Sequence, residues 1–322
     1  MWKTILRRFI ILIPQLLLLS ILVFFLGYLM PGDALRGRIG PGTTAEQVEM
    51  MREVLGLNEP WYVQYVEWMR GILTNLDFGN SFVQARPATD VIGDRIYNTM
   101  RLSFLTTFFT YLIAIPLGIM AAKRKDTVID KSIMIYTFIA LSMPSIIFGL
   151  ITILIFGFGL GWFPTMGTVS NAADMAGGMT RFLSQMYHAI LPAISLAIIS
   201  TTGIIYFLRS EIIENDSSDF VTTARAKGVP ENKVYTGHIL RNALLPIAGG
   251  FGGIFAGLFV GSIFIEAIFS FGGMGQLFVS SILMQDWPVA NTLILFYAVL
   301  IVVSMLLTDI IITIIDPRIR IK

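Results

Sequence analysis

Six stretches of this chain are long, apolar and almost free of charge, and they constrain the fold more than any other feature. A helix needs about 20 mostly apolar residues to cross roughly 30 Å of hydrocarbon. Each run reaches that length and carries at most one ionisable side chain. The sequence therefore predicts an all-α polytopic membrane protein with six transmembrane helices. We place these at residues 9–32, 102–122, 133–157, 188–208, 242–265 and 287–315.

The composition agrees with a chain that lies mostly in lipid. Only 14% of the residues are charged, against about 25% in soluble domains. The first run follows a basic start, MWKTILRR, but it is longer than the roughly 7–15 apolar residues of a signal peptide. We interpret it as a retained first helix. Because cysteine is absent, the chain has no disulfides, thiolate metal sites or thiol nucleophile.

The distribution of Lys and Arg predicts the orientation, since cytoplasmic loops are enriched in these residues. With the N-terminus inside, the cytoplasmic segments hold fifteen of the 23 basic residues. Both termini are therefore predicted to be cytoplasmic, and one transmembrane domain is predicted to cover about 95–315. The predicted inside segments are 1–8, 123–132, 209–241 and 316–322. The predicted outside segments are 33–101, 158–187 and 266–286.

Two outside segments have patterns of their own. In 33–101, Thr44 with Gln47 forms a capping-box pair, and a second helix begins near Pro60 with a run of aromatic residues. We expect two amphipathic helices on the outer surface, and a docking surface for an external partner remains open. The segment 266–286 is apolar, too short to cross and broken by glycines, which is typical of a re-entrant turn.

Small and ionisable residues within the spans are candidates for packing or for a solute path. Glycines recur at every fourth position, a spacing that allows close helix approach in lipid: Gly249, Gly253, Gly257 and Gly261. This strip either packs within one subunit, or faces a subunit interface or solute path. The ionisable residues lie near span ends, which favours structural roles. Glu266 and Asp309 are the candidate gate or pathway residues.

Motifs for catalysis are absent from the sequence. It contains no HExxH, no GxSxG, no HxE with CxxC and no GxxxxGK[ST], so we predict no catalytic residue, no metal site and no bound cofactor. A proton-coupled carrier would usually show a carboxylate near the middle of a span, and no span has one. The chain is predicted to form a passage whose energy source lies elsewhere.

One charged loop, TTARAKGVPENKVYTGHILRNALLPI (Thr222–Ile247), has more structure than a topology signal requires. Ser217, Ser218 or Asp219 can cap a short helix, and Gly228 stands where a left-handed residue would end it. Pro230 then begins a second helix. We expect two helices at an angle that protrude into the cytoplasm. A basic loop that merely fixes topology is the simpler alternative.

This loop resembles the cytoplasmic EAA loop of ABC-importer permeases, in the form found in the oligopeptide/dipeptide/nickel family. ARAKG at Ala224–Gly228 and HILRNALLP at His238–Pro246 carry the resemblance, while Thr222, Thr223 and Ala224 stand where the general pattern has E-A-A. Six further segments match that family in order. They are RRF…MPGD at Arg7–Asp33, LDFGNSF at Leu76–Phe82, LSMPSIIFGL at Leu141–Leu150, EAIFSFGGMGQLF at Glu266–Phe278, QDWPV at Gln285–Val289 and DPRIR at Asp316–Arg320.

The resemblance implies a type I ABC importer fold in a bacterial or archaeal cytoplasmic membrane. It implies as partners a second permease subunit, two cytoplasmic ATPase subunits that bind ATP and magnesium, an extracytoplasmic solute-binding protein and membrane lipid, but no nucleic acid. This chain would bind no cofactor and would not be an enzyme. The implied coupling helix, which contacts the ATPase, comprises Thr222, Thr223, Ala224, Arg225, Ala226, Lys227 and Gly228. The implied anchor of the loop comprises His238, Arg241, Asn242 and Pro246.

Short peptides are the solute that this resemblance favours, while nickel, glutathione-like and other small solutes remain open. Two histidines and no cysteine weigh mildly against a metal path. A channel or ion-coupled carrier that works without an ATPase is the alternative from a different class.

Overall fold

The computed structural model describes residues 2–29, 43–244, 250–260 and 262–315, with side chains described between residues 10 and 308 of those ranges except 251, 252 and 260. Within these ranges the backbone is helical or irregular, and the sole β-type pairing is an isolated bridge between Asn80 and Pro87. The predicted all-α class is therefore confirmed for the described part of the chain.

Helices of very different lengths make up this structure. In chain order they are α1 (Trp2–Leu29), α2 (Ala45–Val54), α3 (Trp61–Asn75), α4 (Ala88–Lys123), α5 (Val128–Ser142), α6 (Ser145–Thr152), α7 (Asn171–Ala176), α8 (Gly178–Asp216), α9 (Asp219–Ala226), α10 (Glu231–Lys233), α11 (Leu240–Ala243), α12 (Phe251–Val260), α13 (Ile263–Ile268), α14 (Met274–Leu283) and α15 (Trp287–Ile315). Two π-helical stretches, Ile153–Gly159 and Val234–Ile239, extend α6 and join α10 to α11.

Four helices are long and apolar enough to cross a membrane: α1, α4, α8 and α15. A fifth crossing arises if α5 and α6 with its π-helical extension count as one span, which is bent by 103°. The bend lies at Met143 and Pro144, where the helix ends before the proline. Proline disfavours helical geometry in the preceding residue, and Met143 accordingly has an extended ψ of 120°.

The predicted span at residues 242–265 lies on the short helices α11, α12 and α13. Residues 245–249 and 261, between these helices, lie outside the described residues. The count of six spans therefore stays a prediction. Helices α4 and α8 both begin well before the predicted spans at residues 102 and 188 and carry polar turns at their ends.

Helices α4 and α8 run side by side in the same direction and form the centre of the fold. Leu102 packs in one apolar cluster with Ala189, and Ala122 packs in another with Ile212. Between these clusters the helices approach so closely that a Cβ at Gly118 would lie 2.9 Å from the Cβ of Leu208. Small residues at such crossings permit tight packing of membrane helices.

Helix α15 joins this pair with the same direction as α4. Val289 and Leu293, near its start, are fully buried against Val91 and Ile92, near the start of α4. Helix α1 runs the opposite way, because Gly27 near its end approaches Asn291 near the start of α15. Three parallel helices and one antiparallel helix thus frame the interior.

The predicted amphipathic helices α2 and α3 are present. The Thr44–Gln47 capping box is confirmed, with both of its hydrogen bonds formed. The aromatic side chains of α3 pack on α1, where Trp61 contacts Phe25 and the Tyr65 hydroxyl lies 2.9 Å from that of Ser20. This packing attaches α3 to the first span, and its role as a docking surface stays a prediction.

Candidate functional site

The charged protrusion, residues 217–243, contains the predicted coupling helix as α9. Ser218 occupies the N-cap position with extended backbone, and α9 ends at Ala226. Lys227 follows as the C-cap, and Gly228 then takes a φ of +74°. A Cβ at Gly228 would meet no atom within 4 Å. The requirement for glycine is therefore conformational, since left-handed backbone disfavours β-branched residues above all.

The underside of α9 is buried in a small apolar cluster. Val221 is fully buried and Ala224 almost so, and both pack with Ala122 at the end of α4 and Ile212 near the end of α8. Val234 and Ile239 from the π-helical stretch and Ala243 of α11 complete the cluster. A buried patch of this kind fixes α9 against two long helices.

Arg225 lies at the centre of a charge network that closes the protrusion. Its Nη2 donates to Asp216 Oδ1 at 2.7 Å, and its Nε donates to Glu231 Oε1 at 2.8 Å. These hydrogen bonds, the one to Glu231 above all, raise the pKa of the Arg225 guanidinium above its ordinary value. We predicted Arg225 as a contact for the ATPase. In this structure it joins the end of α8 to the start of α10.

The outward face of α9 is free of contacts of this kind. The side chains of Thr222, Thr223, Ala226 and Lys227 are exposed, as is Phe220. The buried positions 221 and 224 are three residues apart, so they share one face of α9, and the exposed residues occupy the other, as in an amphipathic helix. Of the predicted contact residues, the structure leaves Thr222, Thr223 and Ala226–Gly228 exposed.

The predicted anchor residues do not form one contact with the long helices. His238 and Arg241 are exposed, and Asn242 Nδ2 donates to the carbonyl of His238 at 3.3 Å. Pro246 lies outside the described residues. Lys123 at the end of α4 also contacts this loop. Its Nζ donates to Asn232 Oδ1 at 2.6 Å and lies 5.1 Å from the centre of the Tyr235 ring.

A second ion pair, which the sequence reasoning missed, joins α5 to α8 near the protrusion. Arg209 donates twice to Asp130, from Nε to Oδ1 and from Nη2 to Oδ2, both at 2.7 Å. Asp130 is only 2% exposed, so the bidentate geometry matters for a buried charge. The sequence does show Asp130 at the end of the basic loop, three residues before the predicted span at 133–157.

At the opposite end of α4, Glu266 holds the glycine turn, residues 269–275. Its carboxylate is fully buried and accepts from the Thr99 hydroxyl at 2.9 Å and the Gln276 N–H at 3.0 Å. A Cβ at Gly273 would lie 2.5 Å from the Glu266 carboxyl carbon. Glu266 was predicted as a gate or pathway residue, and here it fastens the turn to α4. The side chain of Asp309 lies outside the described residues.

A cleft of about 210 Å³ lies between α4, α8 and α12, halfway between these two ends. Its polar lining comes from five neighbouring positions of α4 and from Ser200 of α8, and Gly257 of α12 forms part of the opposite wall. We define the hydroxyl row as Ser103, Thr106, Thr107, Thr110 and Tyr111. The sequence reasoning missed this row, although its helical spacing is visible in RLSFLTTFFTY.

The predicted glycine strip is partly described. A Cβ at Gly253 or Gly257 would meet nothing within 4 Å among the described residues, so neither glycine is a point of close packing within them. Gly249 and Gly261 lie outside the described residues. A role of the strip at a subunit interface or in a solute path stays a prediction.

Family models match nearly the whole chain. Residues 114–321 match the family described as binding-protein-dependent transport system inner membrane component. Residues 1–103 match the N-terminal family described as binding-prot-dependent transport system membrane comp, N-term.

Curated relatives cover the chain from end to end. The oligopeptide transport system permease protein AppB of Bacillus subtilis (strain 168) is 38% identical over 98% of both chains. A putative peptide transport system permease protein of Brucella abortus (strain 2308) is 37% identical over 99% of both. The glutathione transport system permease protein GsiC of Salmonella typhi is 33% identical over the full length of both.

Solved structures support the same fold at lower identity. A chain of the MetNI methionine ABC transporter in an inward-facing conformation matches with a TM-score of 0.55 and 17% identity. The match covers 71% of this chain and 97% of that one. A second crystal form of MetNI gives a TM-score of 0.56 at 16% identity, and covers 70% of this chain and 96% of that one.

Proposed function

Since the chain belongs to the family of binding-protein-dependent transport system inner membrane components, we propose that it is a permease subunit of an ATP-driven importer of short peptides. It forms half of the pathway through the cytoplasmic membrane and contains no ATPase site of its own. The peptide substrate is supported by relatives named as oligopeptide and peptide permeases. Glutathione-like solutes are the next choice, because one relative is named for glutathione.

The proposal includes six crossings with both termini in the cytoplasm. Helices α4 and α8 are parallel, so the chain crosses once between them, through α5 and α6. Helix α15 is also parallel to α4, so the chain crosses back between Asp216 and Trp287, where the apolar helices α12 and α13 lie. With α1 antiparallel to α15, the total is six, and the basic segments then lie inside.

The buried underside of α9 is the observation that carries the proposal. A loop that only fixed topology would need exposed basic residues and nothing more. Here Val221 and Ala224 are packed against the ends of two long helices, Gly228 stops α9, and Arg225 closes the turn. A short helix with a buried underside, a glycine stop and an exposed outer face is suited to receive a push from a partner and pass it to α4 and α8.

The proposed partners are those that membership of the family implies. Two cytoplasmic ATPase subunits bind ATP and magnesium, and one of them receives the exposed face of α9 in a groove. A second permease of similar size completes the pathway, and an external binding protein delivers the peptide. Closure of the ATPases on ATP would move α9, and hydrolysis would release it, which alternates access between the two membrane faces.

Purification of the tagged chain from its native membranes in mild detergent tests the proposal. We expect two ATPase-type subunits and a second permease to co-purify, with ATP hydrolysis in the eluate that the binding protein and peptide stimulate together. Peptide uptake by the same complex in liposomes tests the solute. A chain that transports solute alone, with no ATPase bound even after cross-linking, would favour the channel or carrier and overturn the proposal.

A further inference from the structure

The hydroxyl row places five hydroxyl groups on one face of α4. Its positions follow the i, i+3, i+4, i+7, i+8 spacing that puts residues on one side of a helix. All five line the cleft between α4, α8 and α12. The neighbouring face of α4 is entirely different, with Phe104, Phe108 and Leu112 each more than half exposed, as expected for contact with lipid.

The hydrogen bonding of the row sets it apart from other hydroxyls in the spans. Buried Ser and Thr side chains in membrane helices usually donate to a carbonyl one turn earlier. Eight of them do so here: Ser20, Thr137, Thr152, Ser195, Thr201, Thr202, Thr292 and Ser304. In contrast, the hydroxyls of the row form no hydrogen bond with any described residue.

Two members of the row are also buried. Thr106 and Thr110 are 7% and 4% exposed, and their hydroxyl oxygens are shielded from solvent without a partner. Burial of an unpaired polar group opposes folding. The alternative of bonding to the helix backbone is available to every threonine, so an unused hydroxyl here points to a partner that is absent from the chain itself.

We propose that the hydroxyl row is a binding site for the peptide backbone within the pathway, an inference that rests on the proposed function. A hydroxyl both donates and accepts, and every peptide residue except proline offers one N–H and one C=O. From Ser103 to Tyr111 the row is about 12 Å long at 1.5 Å per residue. That length matches three to four extended residues at roughly 3.3 Å each.

The composition of the cleft indicates that the site does not recognise the side chains of the peptide. Among the described residues no charged side chain lines it, and Gly257 in the opposite wall leaves room where any other residue would project a side chain. Hydroxyls that bond to main-chain amides are indifferent to side-chain identity. The site therefore accepts peptides of varied sequence, and leaves selection among them to other parts of the importer.

Isosteric replacement tests the site in the complete complex, reconstituted in liposomes with its ATPases and binding protein. In T106V/T110V each hydroxyl is replaced by a methyl group of similar size on an equally β-branched residue. We expect kcat/KM for peptide uptake to fall roughly tenfold, as the loss of two hydrogen bonds implies. The matched control is T137V/T202V, which alters hydroxyls that are buried to a similar degree but already bonded.

Folding of the variant is measured separately by thermal melting of the complex. Because T106V/T110V removes two unpaired buried oxygens, its melting temperature should equal or exceed that of the wild type. A lower melting temperature, or loss of the second permease on purification, would assign the row to folding or subunit contact and overturn the proposal.

Cysteine accessibility provides a second test, because the chain contains no cysteine. A charged methanethiosulfonate reagent should modify T107C in the assembled complex, with the label detected on this chain by mass. Addition of peptide with its binding protein and ATP should slow the labelling. F108C, on the lipid-facing stripe, should react slowly with or without peptide. Labelling of T107C that peptide leaves unchanged would contradict the site.

The two proposals fail in different ways. If the wild-type complex takes up no peptide, the proposed function is wrong. If the wild type takes up peptide and T106V/T110V does so at the same rate, the function stands and the hydroxyl row is not the binding site.

Discussion

The charged protrusion and the cleft that the hydroxyl row lines differ in whether their polar groups are hydrogen-bonded within the chain. In the protrusion Arg225 is bonded to two carboxylates and the apolar underside of α9 is buried. In the cleft, five hydroxyls on α4 have no partner among the described residues, and two of them are buried. The protrusion is proposed to transmit force, and a region with that role is better held by hydrogen bonds formed within itself. The cleft is proposed to bind and release peptide, and a region with that role needs hydroxyls that stay unbonded until the solute arrives.

The two regions each contain an important glycine, and the reason for glycine differs between them. Neither Gly228 nor Gly257 would bring a Cβ within 4 Å of another described residue. Gly228 has a φ of +74°, so its side chain is excluded by backbone conformation. Gly257 lies in a helix with ordinary φ, so its missing side chain leaves open space in the cleft. Substitutions at the two positions should therefore fail for different reasons.

Gly228→Val should have the largest effect. A β-branched residue in left-handed backbone costs about 1–3 kcal/mol, which α9 can relieve by losing its last turn. We expect peptide uptake to fall at least tenfold, and stimulation of ATP hydrolysis by loaded binding protein to fall with it. Both are measured on the reconstituted complex. Gly237→Ala, at a glycine that has neither a positive φ nor a neighbour within 4 Å, is the control and should retain both activities.

Gly257→Leu should separate the two regions. The leucine side chain projects into the cleft, so we expect peptide uptake to fall severalfold while ATP hydrolysis stays stimulated, because the protrusion is intact. The ratio of peptide transported to ATP hydrolysed is the measurement. Gly203→Leu, at an exposed glycine of α8 that does not line the cleft, should leave this ratio unchanged. Loss of ATPase stimulation in Gly257→Leu would contradict the separation.

Val221→Ala should loosen the protrusion without altering its outer face. Removing two buried methyl groups costs about 1–3 kcal/mol, and that loss falls on the contact between α9 and the ends of α4 and α8. We expect faster hydrogen exchange in 217–243 and a twofold to fivefold fall in uptake. At the adjacent exposed position, Thr222→Ala should leave exchange unchanged. Equal exchange in both variants would show that the buried underside does not hold α9.

Arg225→Gln should have the smallest effect. Its two ion pairs are partly exposed, and such pairs contribute about 0–1 kcal/mol each because solvent screens them. We expect less than a fivefold change in uptake, and a smaller difference from wild type at high salt. A loss as large as that of Gly228→Val would mean that Arg225 itself contacts the ATPase, as the family resemblance first implied.

The features that could be predicted from the sequence are those that depend on neighbouring residues. The Thr44 capping box, the short helix α9 and its stop at Gly228 each follow from a few consecutive positions, and the structure contains all three. The proline after Met143 breaks a predicted span in the same local way, but the 103° bend does not follow from composition. Apolar runs specify crossings without specifying their shape.

Pairing between distant segments is what the sequence left unspecified. Asp130 and Arg209 are 79 positions apart, and no local sequence motif around either residue predicts that they pair. Glu266 stays a predicted gate or pathway residue, but its hydrogen bonds to Thr99 and to the N–H of Gln276 could not be predicted from the sequence. Conversely, the spacing of the hydroxyl row was visible, but its lack of partners depends on which helices surround α4.

Cross-linking from α9 to an ATPase subunit tests directly whether the exposed face of α9 docks on that subunit. In the cysteine-free chain, T223C places a thiol on the exposed face of α9, and T74C places one on the exposed surface of α3 near the predicted outer face. A short bismaleimide, with a cysteine introduced along the rim of the ATPase groove, should join T223C but not T74C to that subunit. We expect a cross-linking yield for T223C that changes when ATP binds. A cross-link absent at T223C, or equal at both positions, would contradict it.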